Sequence, residues 1–573
     1  MTCQEMILSN DYADIIVDFK ITEQRPYETP TDICYHNVEG DLGIVYVKRS
    51  ELPPITLSSL SYSFLPKCYG LMQMDEVTGG VQEFDTTSLI EAGILQSQGQ
   101  PLELTGRRVT IGFIDTGIRY ENEVFRTSGG QSRITAIWDQ TIQSGEPPAG
   151  FEYGTEYTRE QIDEALASDN PLQIVPSTDT IGHGTAIASV AAGSRLSGNR
   201  RFIGAAPDCN IVVVKLKPIK QYLREYYLIP QDVPCYQETD LIQAIQYLQK
   251  FAVSLYSPLV ICLGVGTNLG DHAGVSVFAR YLDLVMVRKS RAAVTCTGNE
   301  GNAAHHYAGG IMLQAENPYE DVEVRVAEGS SGFTMELWGE IPNVYTIMLR
   351  SPDGETISRI PARFGQTLQF DFVYSNSKVS VDYIPIELNS GEELIYLRFE
   401  NPLAGIWTIR VYAQGSAGTA RFHSWLPITA FLNEPVYFLR PDPYTTMTEP
   451  SYCENAISLT YYDSSNNSFS IDSGRGFQRQ GLIKPDLSVA GIRVQTALGL
   501  SSGSSIATGL MTGAAAQFMQ WAIVERKDPV INSKGIRNYF IRGAEREKTL
   551  EYPNRQWGYG RMDIAGIFDA LVE

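Results

Sequence analysis

Between about Thr105 and Gly310 the chain alternates two kinds of apolar segment. Continuous runs without polar alternation, "RRVTIGFIDTG", "CNIVVVKLK", "SPLVICLGVGT" and "AAVTCTGNEGN", are separated by the helix-spaced "TDLIQAIQYLQKFAVSL" and "VFARYLDLVMVRK". Strands apolar on both faces, with helices between them, predict a parallel sheet covered on both sides. From about Gly310 to Pro427 the period falls to two. "VEVRVAEG", "FTMELWGE", "YTIMLRSPDGE", "LQFDFVY", "KVSVDYIP", "LIYLRFEN" and "GIWTIRVYA" are short runs bounded by Gly, Pro, Asn or Asp. That spacing predicts an inserted antiparallel β-sandwich of jelly-roll type. "GLIKPDLSVAGIRVQTAL" and the helical "SSIATGLMTGAAAQFMQWAIVER" then return to the α/β pattern.

The first hundred residues form a smaller α+β unit. "DIIVDF" and "LGIVYV" are strand-like, and "TTSLIEAGILQ" reads as a short helix running into an extended tail. The polar, turn-rich "SQGQPLELTG" reads as a linker or a place to be cut. The predicted organisation is therefore a unit over 1–96, an α/β domain over 97–309 and 428–573, and an insert over 310–427.

Composition narrows the function classes. At 573 residues the chain exceeds one ordinary core. A formal charge of -21 argues against nucleic acid and anionic membrane surfaces, which need a basic face. The start, "MTCQEMILSNDYADIIVDF", shows no signal peptide, and no apolar run approaches the length of a membrane span. The eight cysteines have no C-x-x-C spacing, so buried free thiols in an internal compartment are expected over a disulfide framework.

The candidate chemistry centres on "TDTIGHGTAIASVAAGS", Thr178 to Ser194. His183 sits between glycines at the start of a helix whose small residues allow packing on all sides. By itself it is a metal ligand, a core histidine or a catalytic base. Three other stretches help to decide. Asp115 ends the buried strand "IGFIDTG", Asn299 follows a strand in "CTGNEGN", and Ser505 lies in "SSGSSIATG" at a helix start. Each has an ordinary reading as a turn or N-cap. Together they match what a serine nucleophile requires: a base for its proton, a carboxylate behind that base, and an amide donor for the oxyanion. The backbone N–H of Ser505 can serve as the second oxyanion donor. Strand ends at one edge of a parallel sheet can assemble such a set from distant positions.

In that order the motifs resemble the subtilases, the subtilisin-like serine proteases. "IDTGI", "GHGTAIAS", "TGNEGN" and "GSSIATG" correspond to the aspartate, histidine, oxyanion and serine motifs. The resemblance implies Asp115 as orienting group, His183 as base then acid, Ser505 as nucleophile and Asn299 in the oxyanion hole. Departures occur at Ala186-Ile187, Ser504, Gly509 and Val489-Ala490, and none removes a catalytic group. The subtilase pattern also places substrate along Gly264, Val265 and Gly266, with Cys296, Thr297 and Gly298 opposite.

The N-terminal unit ("GDLGIVYVKRSEL", "SFLPKCYGLM", "SLIEAGILQSQ") and the late insert resemble the clostridial Csp subtilases of spore germination. This implies a prodomain over 1–96 that assists folding, is cut by the enzyme between Gln96 and Ser97, and can stay bound as a partner. It further implies a protein substrate, the zymogen of a spore-cortex-lytic hydrolase, and a cytoplasmic or spore-associated location. The other readings are a pseudoprotease acting as sensor or scaffold, and a binding module built on the insert. The insert is expected to pack on the protease and limit unfolding. No cofactor is implied. His305-His306 reads as structural because adjacent side chains point apart, and calcium sites leave no short motif.

Overall fold

The structure, a computed structural model, describes residues 1–18, 34–39, 41–72, 74–77, 85–197, 201–316, 318–415 and 418–572. At its centre is a nine-stranded sheet whose strands run, in spatial order, Ser468–Phe469, Ile457–Asp463, Arg291–Cys296, Leu259–Leu263, Thr110–Asp115, Asn210–Lys215, Ile134–Asp139 and Thr155–Thr158. Leu487–Ala490 branches from Ile457–Asp463. The inner strands are parallel, with Leu259 opposite both Thr110 and Arg291, and antiparallel strands close the two edges. All six residues of Thr110–Asp115 are buried, which is why that segment shows no polar alternation.

Separate apolar cores cover the two faces. One face carries the helices His183–Ala192 and Ser504–Met519, buried along their whole length because their side chains are small. The other carries Glu238–Ser254, Val277–Met286 and the N-terminal unit. That unit is the helix Cys3–Leu8 with a three-stranded antiparallel sheet in the order Tyr12–Asp18, Leu42–Lys48, Cys34–Asn37. Asp14 anchors it. The carboxylate is buried, accepts from Lys220 Nζ at 2.6 Å and from the Gln237 amide, and its carbonyl accepts from Tyr222 Oη at 2.9 Å.

The region after the first α/β segment holds two antiparallel sheets around one core that includes Trp407, Phe399 and Phe333. Their strands run from His306–Met312 to Val436–Phe438, so the all-β region is wider at both ends than the expected 310–427. Its first strand pairs with Thr419–Trp425 and its last with Tyr319–Val326, and the short alternating runs alone could not show that. Among the described residues, no helix is long and apolar enough to cross a membrane.

Two expectations are corrected. "TTSLIEAGILQ" forms two short helices, Thr87–Glu91 and Ile94–Gln98, with no extended tail. Their apolar side chains Leu89 and Ile94 join the core that holds the helices His183–Ala192 and Ser504–Met519. Cys3 and Cys34 form a disulfide that ties the first helix to its sheet, whereas Cys68, Cys209, Cys235, Cys262, Cys296 and Cys453 are buried free thiols. A separation of 31 residues carries no motif, and only strand pairing brings the two sulfurs together. Alkylation of the denatured, unreduced chain should therefore modify the six free cysteines, and prior reduction should add two more, as read by intact mass.

Candidate active site

Asp115 is the last residue of its strand and His183 the first of its helix. The loop between Thr178 and His183 is shaped by Asp179. Its Oδ1 accepts from the backbone of Ile181 and Gly182 and from Thr116 Oγ1, and its Oδ2 accepts from Thr185 N and Oγ1. Gly182 adopts φ 95°, so the chain turns sharply into the helix. His183 Nδ1 then donates to Asp115 Oδ1 at 2.7 Å, and His183 Nε2 lies 3.1 Å from Ser505 Oγ.

The structure therefore brings Asp115, His183 and Ser505 into one hydrogen-bonded line, all three buried. Ser505 is the second residue of its helix, where unpaired N–H groups and the helix dipole favour negative charge. Asn299 Oδ1 accepts from Ser504 N at 3.1 Å, which fixes its amide beside the start of that helix. Next to it lies a cavity of about 290 Å³ lined by Met72, Asn299, Tyr461, Asp472, Ser502 and Gly503. A Cβ on Gly264 would stand 2.6 Å from Asp115 Oδ2 and 3.1 Å from His183 Cε1, so only glycine allows this strand end so close.

Burial is the largest influence on His183 and disfavours its charged form. The Asp115 carboxylate, by charge and by hydrogen bond, the Met72 carbonyl and Asp179 outweigh it, and the imidazole is raised above its ordinary 6.5. Such a group can take a proton from Ser505 and hold it while a tetrahedral oxyanion forms.

The expected substrate groove is occupied by the chain itself. Strand Cys68–Leu71 lies between Cys235–Gln237 and Val265–Gly266, antiparallel to both, with Leu71 opposite Val265 and Gly70 opposite Gly266. Met72 follows, its carbonyl 3.1 Å from His183 Nε2. Its Sδ is 3.3 Å from where a Gly298 Cβ would stand. Beyond it, Asp75–Val77 pairs with Gly499–Ser502, just before the Ser505 helix. Of the residues expected opposite Gly264–Gly266, Gly298 lines this slot. Thr297 Oγ1 instead donates to Leu459 O, and the Cys296 thiol packs against Val265 O.

Gln96 and Ser97 are not brought to the site. They lie in the helix Ile94–Gln98, Ser97 is fully buried, and the Ile94 carbonyl accepts from Gln517 Nε2. Gln517 is on the Ser505 helix, about 18 Å from Ser505 at 1.5 Å per residue. Packing against the far end of that helix removes the bond from reach of the nucleophile. Sequence reading also missed Asp179, whose signal was an acidic residue just ahead of the Gly-His-Gly turn. It missed Met72 too, in the largely apolar "YGLMQM", which Asp75 and Glu76 follow. Thr448, which approaches the slot from a distant segment, left no signal.

A sequence profile of the subtilase family matches residues 106–320. The structure of the Clostridium perfringens CspB protease is similar, with a TM-score of 0.74 and 27% identity over 85% of this chain and 98% of that one. MycP1 from Mycobacterium smegmatis aligns with a TM-score of 0.39 and 12% identity, covering 87% of this chain and 89% of that one. No curated protein matches.

The raised His183 value has a testable sign. A group raised on folding stabilises the fold below pH 6.5, and that contribution is lost as pH rises through the folded value. Carbon-13 histidine NMR of a Ser505→Ala chain should place His183 above 6.5. Adding Asp115→Asn should move it below, because burial then dominates.

Proposed function

Since the chain is a subtilisin-like serine protease, we propose that it is an endopeptidase that cuts itself on the carboxyl side of Met72 and retains its N-terminal unit in the cleft. The observation that carries this reading is the Met72 carbonyl, 3.1 Å from the nitrogen of His183 that also faces Ser505 Oγ. The chain leading to it is held as an added strand, the usual way for a groove to present an extended peptide.

In the proposed reaction, Ser505 Oγ attacks the Met72 carbonyl carbon as His183 takes its proton. Asp115 holds the imidazole and stabilises the imidazolium. The Asn299 amide and the Ser505 N–H receive the oxyanion, one such donor being worth about 2.7–4 kcal/mol of transition-state stabilisation. His183 then protonates the leaving amine, and water releases the acyl group by the same steps in reverse. Residues 1–72 would act as the prodomain, and the helices after residue 85 would belong to the mature enzyme. The all-β region would be a jelly roll. Its resemblance to Csp subtilases supports a protein zymogen as substrate, a spore-cortex-lytic hydrolase being the proposed case.

The slot also suggests a preference at the cut. Thr448 closes its far end: Thr448 Oγ1 is 2.5 Å from a Cβ position on Gly266, and Thr448 Cγ2 is 2.6 Å from one on Gly298. An unbranched methionine fits beside it, and an aromatic ring would meet the threonine.

Mass spectrometry of the denatured wild-type chain should show two fragments, the smaller ending at Met72. Ser505→Ala should leave one full-length chain. Fragments from that variant would end the case for self-cleavage, and a different terminus would end the Met72 assignment. Met72→Phe should slow self-cleavage about tenfold or more, and Thr448→Gly in the same chain should restore it, since one or two carbons in an apolar pocket are worth about 1–3 kcal/mol.

A further inference from the structure

On the sheet face opposite Ser505, a cavity of about 310 Å³ opens where the N-terminal unit meets the helix Glu238–Ser254. Lys250, Arg288, Lys289 and Arg291 line it, and Glu39 is its acidic residue. This is a local reversal of sign in a chain with formal charge -21. Repulsion among clustered cations is tolerated where something offsets it. Among the described residues Glu39 bridges Arg288 at 2.9 Å on an exposed rim, Arg291 Nη1 donates to the Ser257 and Ser290 carbonyls, and Lys250 Nζ lies over the Phe151 ring.

Gln249 supplies the second observation. Only 6% of it is exposed, and it lines the same cavity. Its Oε1 accepts from Arg291 Nε at 2.8 Å. Flipping the amide would set two donors against each other, so its orientation is determined. Its Nε2 is then a buried donor without a hydrogen-bond partner among the described residues. Buried donors are nearly always satisfied, and this one stands among cations, where the missing partner has to be an acceptor. The floor is otherwise rigid: Gln246 Nε2 donates to Asn37 O, and its Oε1 lies 2.6 Å from His36 Nε2.

We infer that this cavity binds a phosphate-class oxyanion, received by the Gln249 amide and the surrounding lysine and arginine side chains. Arginine and lysine supply charge-assisted bonds, and the neutral amide supplies a directed one. Because Glu39 shares Arg288, the bound anion would sit at the junction of the N-terminal unit with the protease.

Calorimetric titration of the intact chain with inorganic phosphate tests this, with chloride at matched ionic strength as control. Saturable binding with a Kd of about 1 mM or tighter is expected. Glycerol phosphate in a parallel titration distinguishes the source: tighter binding than phosphate assigns an organic ester, and equal binding assigns the free anion. Gln249→Leu should weaken phosphate about tenfold without changing any charge, and the exposed double variant Lys250→Gln/Lys289→Gln should do the same. Self-cleavage at the wild-type rate in each variant confirms folding. No saturable phosphate binding in the wild type overturns the proposal. So does a Gln249→Leu chain that binds phosphate as well as wild type, since that would reduce the cavity to a diffuse basic surface.

Discussion

One buried hydrogen bond, from His183 Nδ1 to Asp115 Oδ1, governs the site. An imidazole enclosed this completely would lose its affinity for protons, because burial penalises the charged form. The carboxylate reverses that penalty and leaves the ring able to accept a proton from Ser505. Sheet order makes the bond possible. Arg291–Cys296, Leu259–Leu263 and Thr110–Asp115 are neighbours, so Asn299, Gly264 and Asp115 arrive together at the same edge. The two buried helices bring His183 and Ser505 to that edge from one face.

The same edge explains the N-terminal unit. Val265–Gly266 and Cys235–Gln237 offer backbone donors and acceptors on either side of a groove, and Cys68–Leu71 satisfies both. A groove built for an extended peptide is an open sheet edge, and filling it removes an aggregation risk as well as a binding site. The buried Asp14–Lys220 pair holds the unit from behind. Removing one partner of such a pair costs about 3–5 kcal/mol, since the other charge stays buried.

The all-β region is bound into this arrangement. Glu336 accepts from Tyr62 Oη of the N-terminal unit at 2.7 Å and from Gly270 N of the α/β domain at 3.0 Å. Its carboxyl is pushed up to about 7 by burial, which outweighs the opposing effect of the Gly270, Tyr62 and Trp338 donors and of the Lys67 charge. His272 of the α/β domain stacks on Trp425 at 3.9 Å, with His306 and His423 against the same indole. His305 turns away to Glu300, so the two adjacent histidines do point apart. Tyr62, Tyr222, Trp338 and Trp425, drawn from all three parts, share one buried apolar cluster.

Much of this was legible in the chain. Unbroken apolar runs at 111–114, 211–214 and 259–263 report strands covered on both faces, and the period of two reports the antiparallel sheets, because burial pattern follows directly from side-chain direction. The positions of Asp115, His183, Asn299 and Ser505 were legible because local motifs of glycine and small residues surround each of them. Tertiary structure alone decided what lies between those motifs. It seated Met72 in the cleft, moved Gln96–Ser97 to the far end of a helix, joined Cys3 to Cys34 and closed the slot with Thr448. Each of these depends on which distant segments share a surface, and periodicity carries the direction of a side chain without naming the partner it meets.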